Sequence, residues 1–276
     1  MRKKYVAILC VSLAVLIVCG GMIINKLTSE KRAAQQYEQL AQAYAPKTEE
    51  SAEPEPEAPV SEPEPPEEDT EAEEPEPKPE PEPEPYTSPV DFASLWEINP
   101  DVIGWITVPG TDIDHPILRS ESDNGYYLTH DIYGDEIISA SIYIENYNRA
   151  DFSDFNTVVY GHNMNDGSMF GQLHRFEDSD FFDENKTVLI YLPDKKLTYR
   201  IFAARYIGDE HILTVCRNAD PESCDAYIAG IFADRSGGSN VDRSGLVTTD
   251  DRIITLSTCD RYNASRRYVV HAVLEK

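Results

Sequence analysis

Residues 253–259 read Ile-Ile-Thr-Leu-Ser-Thr-Cys, and residues 267–274 read Arg-Tyr-Val-Val-His-Ala-Val-Leu. Both stretches are rich in β-branched and aromatic residues and have the length of single strands, whereas residues 260–266 between them are mostly polar. This pattern predicts two strands joined by a short loop. Such a pair would place Cys259, at the end of the first strand, beside Arg267, at the start of the second.

Short runs of the same kind recur from residue 102 onward and are separated by turn residues. The predicted strands are Val102–Val108, Ser141–Ile144, Thr157–Tyr160, Thr187–Leu192, Leu197–Tyr206, Arg252–Ser257 and Tyr268–Leu274. Regularly spaced short strands are typical of a β-barrel or a β-sandwich.

Two stretches in this part of the chain have helical character instead. Residues 92–98 carry apolar side chains at the spacing of a short helix. In residues 220–236, apolar residues recur at the three- and four-residue spacing of an amphipathic helix, and Pro221 suits its first position. The sequence therefore predicts a mainly β domain over residues 86–276, with a helix at its N-terminal end and a second helix inserted between late strands.

The first 47 residues are predicted to form a separate unit. Arg2–Lys4 precede an uncharged run, in which 19 mostly apolar residues, Val6–Ile24, would span roughly 30 Å as a helix. We predict a cytoplasmic basic stub (1–4), a transmembrane signal-anchor (5–27) and a polar helical stalk (28–47), with the rest of the chain outside the cell. The alternative is a cleaved signal peptide, which would have a shorter apolar region and a cleavage site of small residues.

A proline- and glutamate-rich segment follows, over residues 48–85. It contains 12 prolines and 17 acidic residues. Proline lacks an amide donor and the neighbouring carboxylates repel one another, so neither a helix nor a sheet can form. The segment is predicted to be a disordered, extended spacer between the stalk and the β domain.

Charge and cysteine content exclude two classes of function. The chain carries a net charge of −26, which opposes binding to phosphate backbones and excludes a nucleic-acid-binding protein. The five cysteines stand at irregular spacing, which fits neither a disulfide scaffold nor a structural metal site.

The candidate reactive residues stand at the ends of predicted strands. Cys259 is unpaired in a domain predicted to be exported and has polar neighbours, which suits a nucleophile, whereas a free cysteine is usually a small residue of the core; the residue alone leaves both open. His162 follows Gly161, which would allow a sharp turn, and imidazole is well suited to exchange protons with a thiol near neutral pH. Arg267 cannot act as a base, but it can donate hydrogen bonds to an oxyanion.

Together these residues resemble the signature of the sortase family, which comprises membrane-anchored transpeptidases of mainly Gram-positive bacteria. The pentapeptide Thr-Leu-Ser-Thr-Cys (255–259), the downstream Arg267 and the upstream Tyr-Gly-His (160–162) match the family's motifs. The helix at 220–236 and the segment 123–128 are similar to those of class B. The resemblance implies a closed β-barrel of about eight strands, antiparallel or mixed.

The resemblance also implies a reaction and its site. Cys259 would attack the threonine carbonyl of a sorting signal of the Asn-Pro-x-Thr kind, near the C-terminus of a secreted protein. Arg267 would stabilise the oxyanion, and His162 would pass protons to the leaving amine and from an incoming cell-wall peptide amine. No cofactor and no metal are implied. The implied substrate-binding residues are Asn124, Leu128, Tyr160, Ser223, Tyr227, Ile228, Ser257 and Asp260.

Three alternatives stay open from the sequence alone. A class B enzyme that polymerises pilins would use a pilin lysine in place of the cell-wall amine. A cysteine peptidase would share Cys259 and His162 and release its product to water. An inactive binding module held near the cell wall would not need the thiol. In each case the predicted location is the cell membrane, with a single pass and the β domain facing the cell wall.

Overall fold

The structure is a computed structural model that describes residues 2–46, 86–260 and 262–275. The predicted spacer, residues 48–85, lies outside them. The helices are α1 (Arg2–Tyr44), α2 (Phe92–Ile98), α3 (Ser179–Glu184), α4 (Ile212–Val215) and α5 (Pro221–Ala233), with 3-10 turns at Tyr126–Leu128 and Gly171–Glu177. The strands are β1 (Val102–Val108), β2 (Ile113–Leu118), β3 (Ile142–Ile144), β4 (Asn156–Tyr160), β5 (Thr187–Tyr191), β6 (Lys196–Gly208), β7 (Asn240–Val241), β8 (Ile253–Cys259) and β9 (Arg266–Leu274).

The strands of the described residues close into a barrel. Their order is β5-β1-β2-β3-β4-β8-β9-β6, and β6 pairs back onto β5 to complete the ring. β2 runs parallel to β3 and β4 runs parallel to β8, whereas the other neighbours in the ring are antiparallel. The short strand β7 pairs with β6 in addition. The predicted closed, mixed β-barrel of about eight strands is confirmed.

β2 is a strand that the sequence pattern does not predict. Its centre, Asp114-His115-Pro116, has the composition of a turn. In the barrel, the carboxylate of Asp114 accepts hydrogen bonds from Trp105 Nε1 and Thr107 Oγ1 of β1, both at 2.7 Å. The carboxylate in the centre of the strand is therefore satisfied by the neighbouring strand, and a local pattern carries no sign of such long-range partners.

Two hydrophobic cores lie on the two faces of the sheet. The barrel interior holds large, fully buried side chains, among them Trp105 and Tyr199. The second core lies between the other face of the sheet and α4 and α5, where Phe202 packs with the buried Cys224 and Ile231. The helix inserted after β6 thus covers a part of the barrel wall.

α5 forms at the predicted place because its first turn is capped. The side chain of Asp220 accepts a hydrogen bond from the amide of Ser223, and Pro221 occupies the first turn. The helix ends at Ala233, three residues before the predicted end at Ser236. The reason is a turn, in which the carboxylate of Asp234 accepts the Ser236 amide at 2.8 Å.

α1 is continuous through the predicted signal-anchor and stalk, and its last turns pack against the barrel. The hydroxyl of Tyr37 donates a hydrogen bond to the carbonyl of Ala140 at 2.5 Å, and its ring packs edge-on against His115 at 5.4 Å. Leu40 is also buried. The stalk is therefore helical up to Tyr44, with one face in contact with the β domain. Across the described residues we identified no helix whose apolar stretch is long enough to cross a lipid bilayer.

Candidate active site

Cys259 and Arg267 are direct neighbours across the antiparallel pair β8–β9, where they are paired through their Cα atoms. The first six residues of β8 are buried, whereas Cys259 at its end is exposed. The strand therefore delivers the thiol to the rim of the barrel, where a substrate can reach it. The predicted strand-loop-strand arrangement is confirmed.

His162 reaches the same rim because β4 and β8 are parallel and end together. Tyr160 at the end of β4 pairs with Ser257, and the amide of Gly161 donates to the carbonyl of Ser257 at 3.1 Å. The hydroxyl of Thr258 donates back to the carbonyl of Gly161 at 2.8 Å. These bonds extend the pairing beyond β4 and hold the residue after Gly161 at the end of β8.

Gly161 is required by packing rather than by a sharp turn, which corrects the sequence-based explanation. Its backbone is not in the left-handed region. A Cβ atom at this position would lie 2.4 Å from Cδ1 of Ile142 and 2.7 Å from Cγ of Phe170. Glycine is therefore needed because two buried side chains pack directly against the backbone.

One nitrogen of the His162 ring is held by the backbone. Its Nε2 atom lies 2.8 Å from the carbonyl oxygen of Leu128. Because a carbonyl can only accept, this contact places a proton on Nε2. In the neutral ring, Nδ1 is then the nitrogen that can take up a proton, and in the protonated ring it is the nitrogen that can release one.

The Arg267 guanidinium is fixed by the loop between the two strands. Its Nη1 atom donates to the carbonyls of Ala264 at 2.8 Å and of Arg266 at 3.0 Å. A guanidinium carries five N–H donors in a rigid plane, so other donors remain for an oxyanion. The two backbone contacts orient the group without using up its capacity to donate.

The three candidate catalytic residues line one groove at the rim of the barrel. The groove has a volume of about 240 Å³. It is lined by Leu128, Tyr143, Tyr160, Gly161, His162, Asp209, Glu210, His211, Ile212, Ser257, Thr258, Cys259 and Arg267. The structure therefore brings together the thiol, the imidazole and the guanidinium that the sequence analysis selected.

A half-buried carboxylate, that of Glu145, contacts two residues in the wall of this groove. Glu145 Oε2 accepts a hydrogen bond from the hydroxyl of Tyr160 at 3.1 Å and from His211 Nε2 at 2.8 Å. Burial first, and the nearby Glu145 carboxylate second, raise the pKa of Tyr143 and Tyr160 well above the usual value of a phenol. Both hydroxyls therefore remain protonated and can act as hydrogen-bond donors.

The carbonyl of Cys259 has partners that sequence reasoning missed. It accepts hydrogen bonds from Asn163 Nδ2 at 2.9 Å and lies 3.2 Å from His174 Nε2. The other ring nitrogen of His174 lies 2.6 Å from Glu177 Oε1, and the ring stacks on Tyr268 at 4.9 Å. The three-residue spacing of His174 and Glu177 is the sequence feature that corresponds to their contact. It indicates a contact only once both residues are known to lie on one 3-10 turn.

The predicted substrate-binding residues fall into two groups. Leu128, Tyr160 and Ser257 line the groove with the reactive residues. Ser223 and Tyr227 line a second depression of about 480 Å³, beside α5. This depression shares Glu210 and Ile212 with the groove, so the two are adjacent. Ile228 is buried in the second core.

Two further predicted residues have structural partners instead of a place in the groove. The side-chain oxygen of Asn124 accepts the amide of Asn146 at 2.6 Å and so holds a loop. Asp260 forms an ion pair with Arg266 at 3.3 Å and accepts the amide of Tyr262 at 2.8 Å. Asp260 is therefore not among the residues that line the groove, and its part in substrate binding stays a prediction.

Comparison with known proteins gives a consistent result. A family model described as the sortase domain matches residues 106–275. Sortase B of Listeria monocytogenes is 35% identical over 170 residues, which is 62% of this chain and 67% of that protein.

Solved structures agree with this match. The X-ray structure of Clostridium perfringens sortase B has a TM-score of 0.60 and 33% identity, and the match covers 67% of this chain and 100% of that one. The crystal structure of a Streptococcus pyogenes class B sortase involved in pilus biogenesis has a TM-score of 0.59 and 31% identity, covering 67% of this chain and 98% of that one. The chain therefore belongs to the sortase family of cysteine transpeptidases and, within it, to the class B sortases.

Proposed function

We propose that this class B sortase cleaves a sorting signal of the Asn-Pro-x-Thr kind after its threonine and transfers the new acyl end to an amine of a cell-wall peptide. The observation that carries the proposal is the groove itself, in which Cys259, His162 and Arg267 lie together at the rim of the barrel. The protein substrates are secreted proteins that carry such a signal near the C-terminus.

In the first half of the reaction, the Cys259 thiolate attacks the threonine carbonyl carbon and a C–S bond forms. The carbonyl oxygen becomes an oxyanion, which accepts hydrogen bonds from the free donors of Arg267. His162 then gives a proton from Nδ1 to the leaving amine while the C–N bond breaks. The contact of Nε2 with the carbonyl of Leu128 keeps the ring oriented throughout.

In the second half, an amine attacks the thioester that remains on Cys259. His162 accepts the proton that the amine loses, and collapse of the second oxyanion expels the thiolate. Asp209 and Glu210 line the same groove, and their carboxylates favour the approach of a positively charged ammonium before it is deprotonated. The product is an amide between the secreted protein and the cell wall.

A test uses the full chain in detergent with a peptide that contains an Asn-Pro-x-Thr signal. The assay is run with and without a short peptide that imitates the amine of the cell wall, and the products are identified by mass spectrometry. We expect an amide product that requires the amine, and no product with the Cys259→Ala variant. Release of the free acid at the same rate with and without the amine would favour a hydrolytic peptidase instead.

A second candidate is the polymerisation of pilins, with a pilin lysine as the amine. The observation that favours it is the similarity to the Streptococcus pyogenes class B sortase involved in pilus biogenesis. The same assay distinguishes the two, since it can be repeated with a lysine-containing pilin peptide as the acceptor. Faster transfer to the lysine than to the cell-wall amine would select this candidate.

We further propose that residues 5–27 anchor the enzyme in the cell membrane, with residues 1–4 in the cytoplasm and the catalytic domain facing the cell wall. The proposal is supported by the cluster Arg2–Lys4 before an uncharged run. It is also supported by the exposed apolar side chains of α1, which include Leu13, Leu16, Ile17, Val18, Met22 and Ile24.

This location is tested on the protein as the bacterium makes it. We expect the protein in the membrane fraction, with a mature N-terminus upstream of residue 5 by mass spectrometry. We also expect the catalytic domain to be accessible to a protease added outside the cell after the wall is removed. A new N-terminus just beyond residue 24 would show that the run is a cleaved signal peptide.

A further inference from the structure

Two cysteines that take no part in the proposed chemistry lie against each other beneath α5. Cys216 directly follows the end of α4, and Cys224 lies in the first half of α5. Their Sγ atoms are 3.1 Å apart, and the residues are 0% and 1% exposed. Both belong to the second core, so apolar side chains surround the pair.

The geometry of the pair is close to that of a disulfide. A disulfide bond has a length of about 2.05 Å, so the two sulfur atoms need to approach by roughly 1 Å. The intervening turn is already closed by its own hydrogen bonds, since the Arg217 amide donates to Ser223 Oγ at 3.0 Å. The Asp220 carboxylate in addition caps α5. The turn between the two cysteines is therefore already formed around the pair, with the two sulfur atoms facing each other.

We propose that Cys216 and Cys224 form a disulfide that joins α4 to α5 while the exported domain folds. The oxidant is either a small-molecule disulfide or the disulfide of an oxidoreductase outside the cell. The thiolate of one cysteine attacks the oxidant and releases one thiol, and the thiolate of the second attacks the mixed disulfide and releases the other. Two protein thiols become one disulfide, and one oxidant disulfide becomes two thiols.

Burial determines when this bond can form. Burial, together with the neighbouring thiol, raises the pKa of Cys216 far above the usual value of a cysteine. Because the thiolate is the attacking species, the folded and reduced pair reacts slowly with any oxidant. The bond therefore forms before α5 covers the second core, and once formed it is shielded from reductants.

The disulfide would serve the active site in two ways. α4 carries Ile212, which lines the groove, and α5 carries Tyr227, which lines the adjacent depression. A covalent link between the two helices therefore fixes the position of Ile212 in the groove relative to Tyr227 in the adjacent depression. It also removes two thiols that compete with Cys259, which is exposed and must remain free to act as the nucleophile.

The test exploits Arg217, which lies between the two cysteines in the sequence. The full chain is unfolded with a reductant, refolded in a mixture of reduced and oxidised glutathione, blocked with N-ethylmaleimide and digested with trypsin. We expect the peptides 206–217 and 218–235 to be joined and to separate on reduction. The peptide 253–261, which contains Cys259, should carry the maleimide.

Matched variants and a kinetic comparison make the result specific. Cys224→Ser should abolish the joined peptides, whereas Cys259→Ala should retain them. The same glutathione mixture is also added to the folded, reduced protein. The bond should then form at least about 10-fold more slowly than during refolding, because burial suppresses the thiolate. Equal rates before and after folding would contradict the proposed timing.

The wild-type protein alone supplies a second measurement, so the conclusion does not depend on a variant that fails to fold. We expect the oxidised protein to unfold at a temperature about 5 °C higher than the reduced protein. The disulfide closes a short loop in the unfolded chain and so lowers the entropy that this chain gains on unfolding. If Cys216 and Cys224 both carry the maleimide after oxidative refolding, they have not formed a disulfide and the proposal is overturned. A disulfide from either of them to Cys259 would overturn it as well.

Discussion

His174 Nε2 lies 3.2 Å from the carbonyl oxygen of Cys259, so a second histidine contacts the backbone of the residue that carries the nucleophile. His174 is itself held by Glu177, whose carboxylate also accepts the hydroxyl of Tyr206 at 2.7 Å. β8 ends at Cys259. Side-chain contacts therefore fix the position of the thiol at the point where the strand stops.

The first prediction concerns this contact. His174 Nε2 also lies 3.0 Å from Asn163 Nδ2, the amide that donates to the Cys259 carbonyl. His174→Ala removes this partner of Asn163 and should lower kcat/KM for peptide cleavage by about 2- to 10-fold, the loss expected from one hydrogen bond. The loss should fall mainly on kcat, because the thiol is displaced while the walls of the groove are unchanged. Steady-state kinetics measure both constants, and circular dichroism verifies the fold. Complete inactivity of a folded His174→Ala protein would contradict this account, because it would give His174 a direct role in the chemistry.

The second prediction separates the two arginines at the start of β9. Arg267→Lys should lower kcat about 100-fold or more, because a single ammonium replaces a planar set of donors to the oxyanion. Arg266 pairs with Asp260 and lies over the ring of Tyr206 at 3.9 Å, away from the groove. Arg266→Ala should therefore keep nearly full activity. An inactive Arg266→Ala protein beside an active Arg267→Ala protein would move the oxyanion role back by one residue.

The third prediction concerns the N-terminal segments. A chain that begins at Thr87 should still cleave the signal peptide, because every residue that lines the groove lies beyond this point. It should be less stable than the full chain, since the contacts of Tyr37 with Ala140 and His115 are lost. In the full chain, Tyr37→Ala should lower the unfolding free energy by about 3 kcal/mol, as for other buried aromatic side chains. Loss of cleavage by a folded truncated chain would show that the preceding residues contribute to the site.

The fourth prediction is a pH dependence of stability. Burial lowers the pKa of His115 to about 4, whereas in the unfolded chain the pKa of a histidine is about 6.5. The unfolded state therefore binds more protons between these values, and stability that is present above about pH 6.5 is lost as the pH falls towards 4. From pH 7 to pH 5 the expected loss is about 2 kcal/mol.

Denaturant unfolding at several pH values measures this loss. The His115→Gln variant should show a shallower decline than the wild-type protein. Burial also lowers the pKa of His271, so a part of the dependence should persist in the variant. An equally steep decline in His115→Gln would contradict the assignment.

Much of the barrel could be predicted because its strands are encoded locally. β8 and β9 are short runs of β-branched residues with polar loops beside them, and α5 has a capped start at Asp220 and an amphipathic pattern. β2 could not be predicted, because the carboxylate of Asp114 in its centre depends on partners in β1. The contact of α1 with the barrel depends in the same way on surfaces that only the folded domain presents.

The residues of the site also fall into those that the sequence could identify and those that it could not. Cys259, His162 and Arg267 could be selected because each stands at the end of a β-run, and the register of β4, β8 and β9 brings those ends together. His174 and Glu145 could not be selected, since their partners are distant in the sequence.

The central claim is that Cys259 forms a thioester with the signal peptide. The most direct measurement is the intact mass of the full chain after brief mixing with an Asn-Pro-x-Thr peptide and quenching in acid, followed by mapping of the adduct. We predict a mass increase equal to the acyl part of the peptide, located in residues 253–261 and absent in Cys259→Ala. An adduct on another residue, or cleavage of the peptide by Cys259→Ala, would contradict the account.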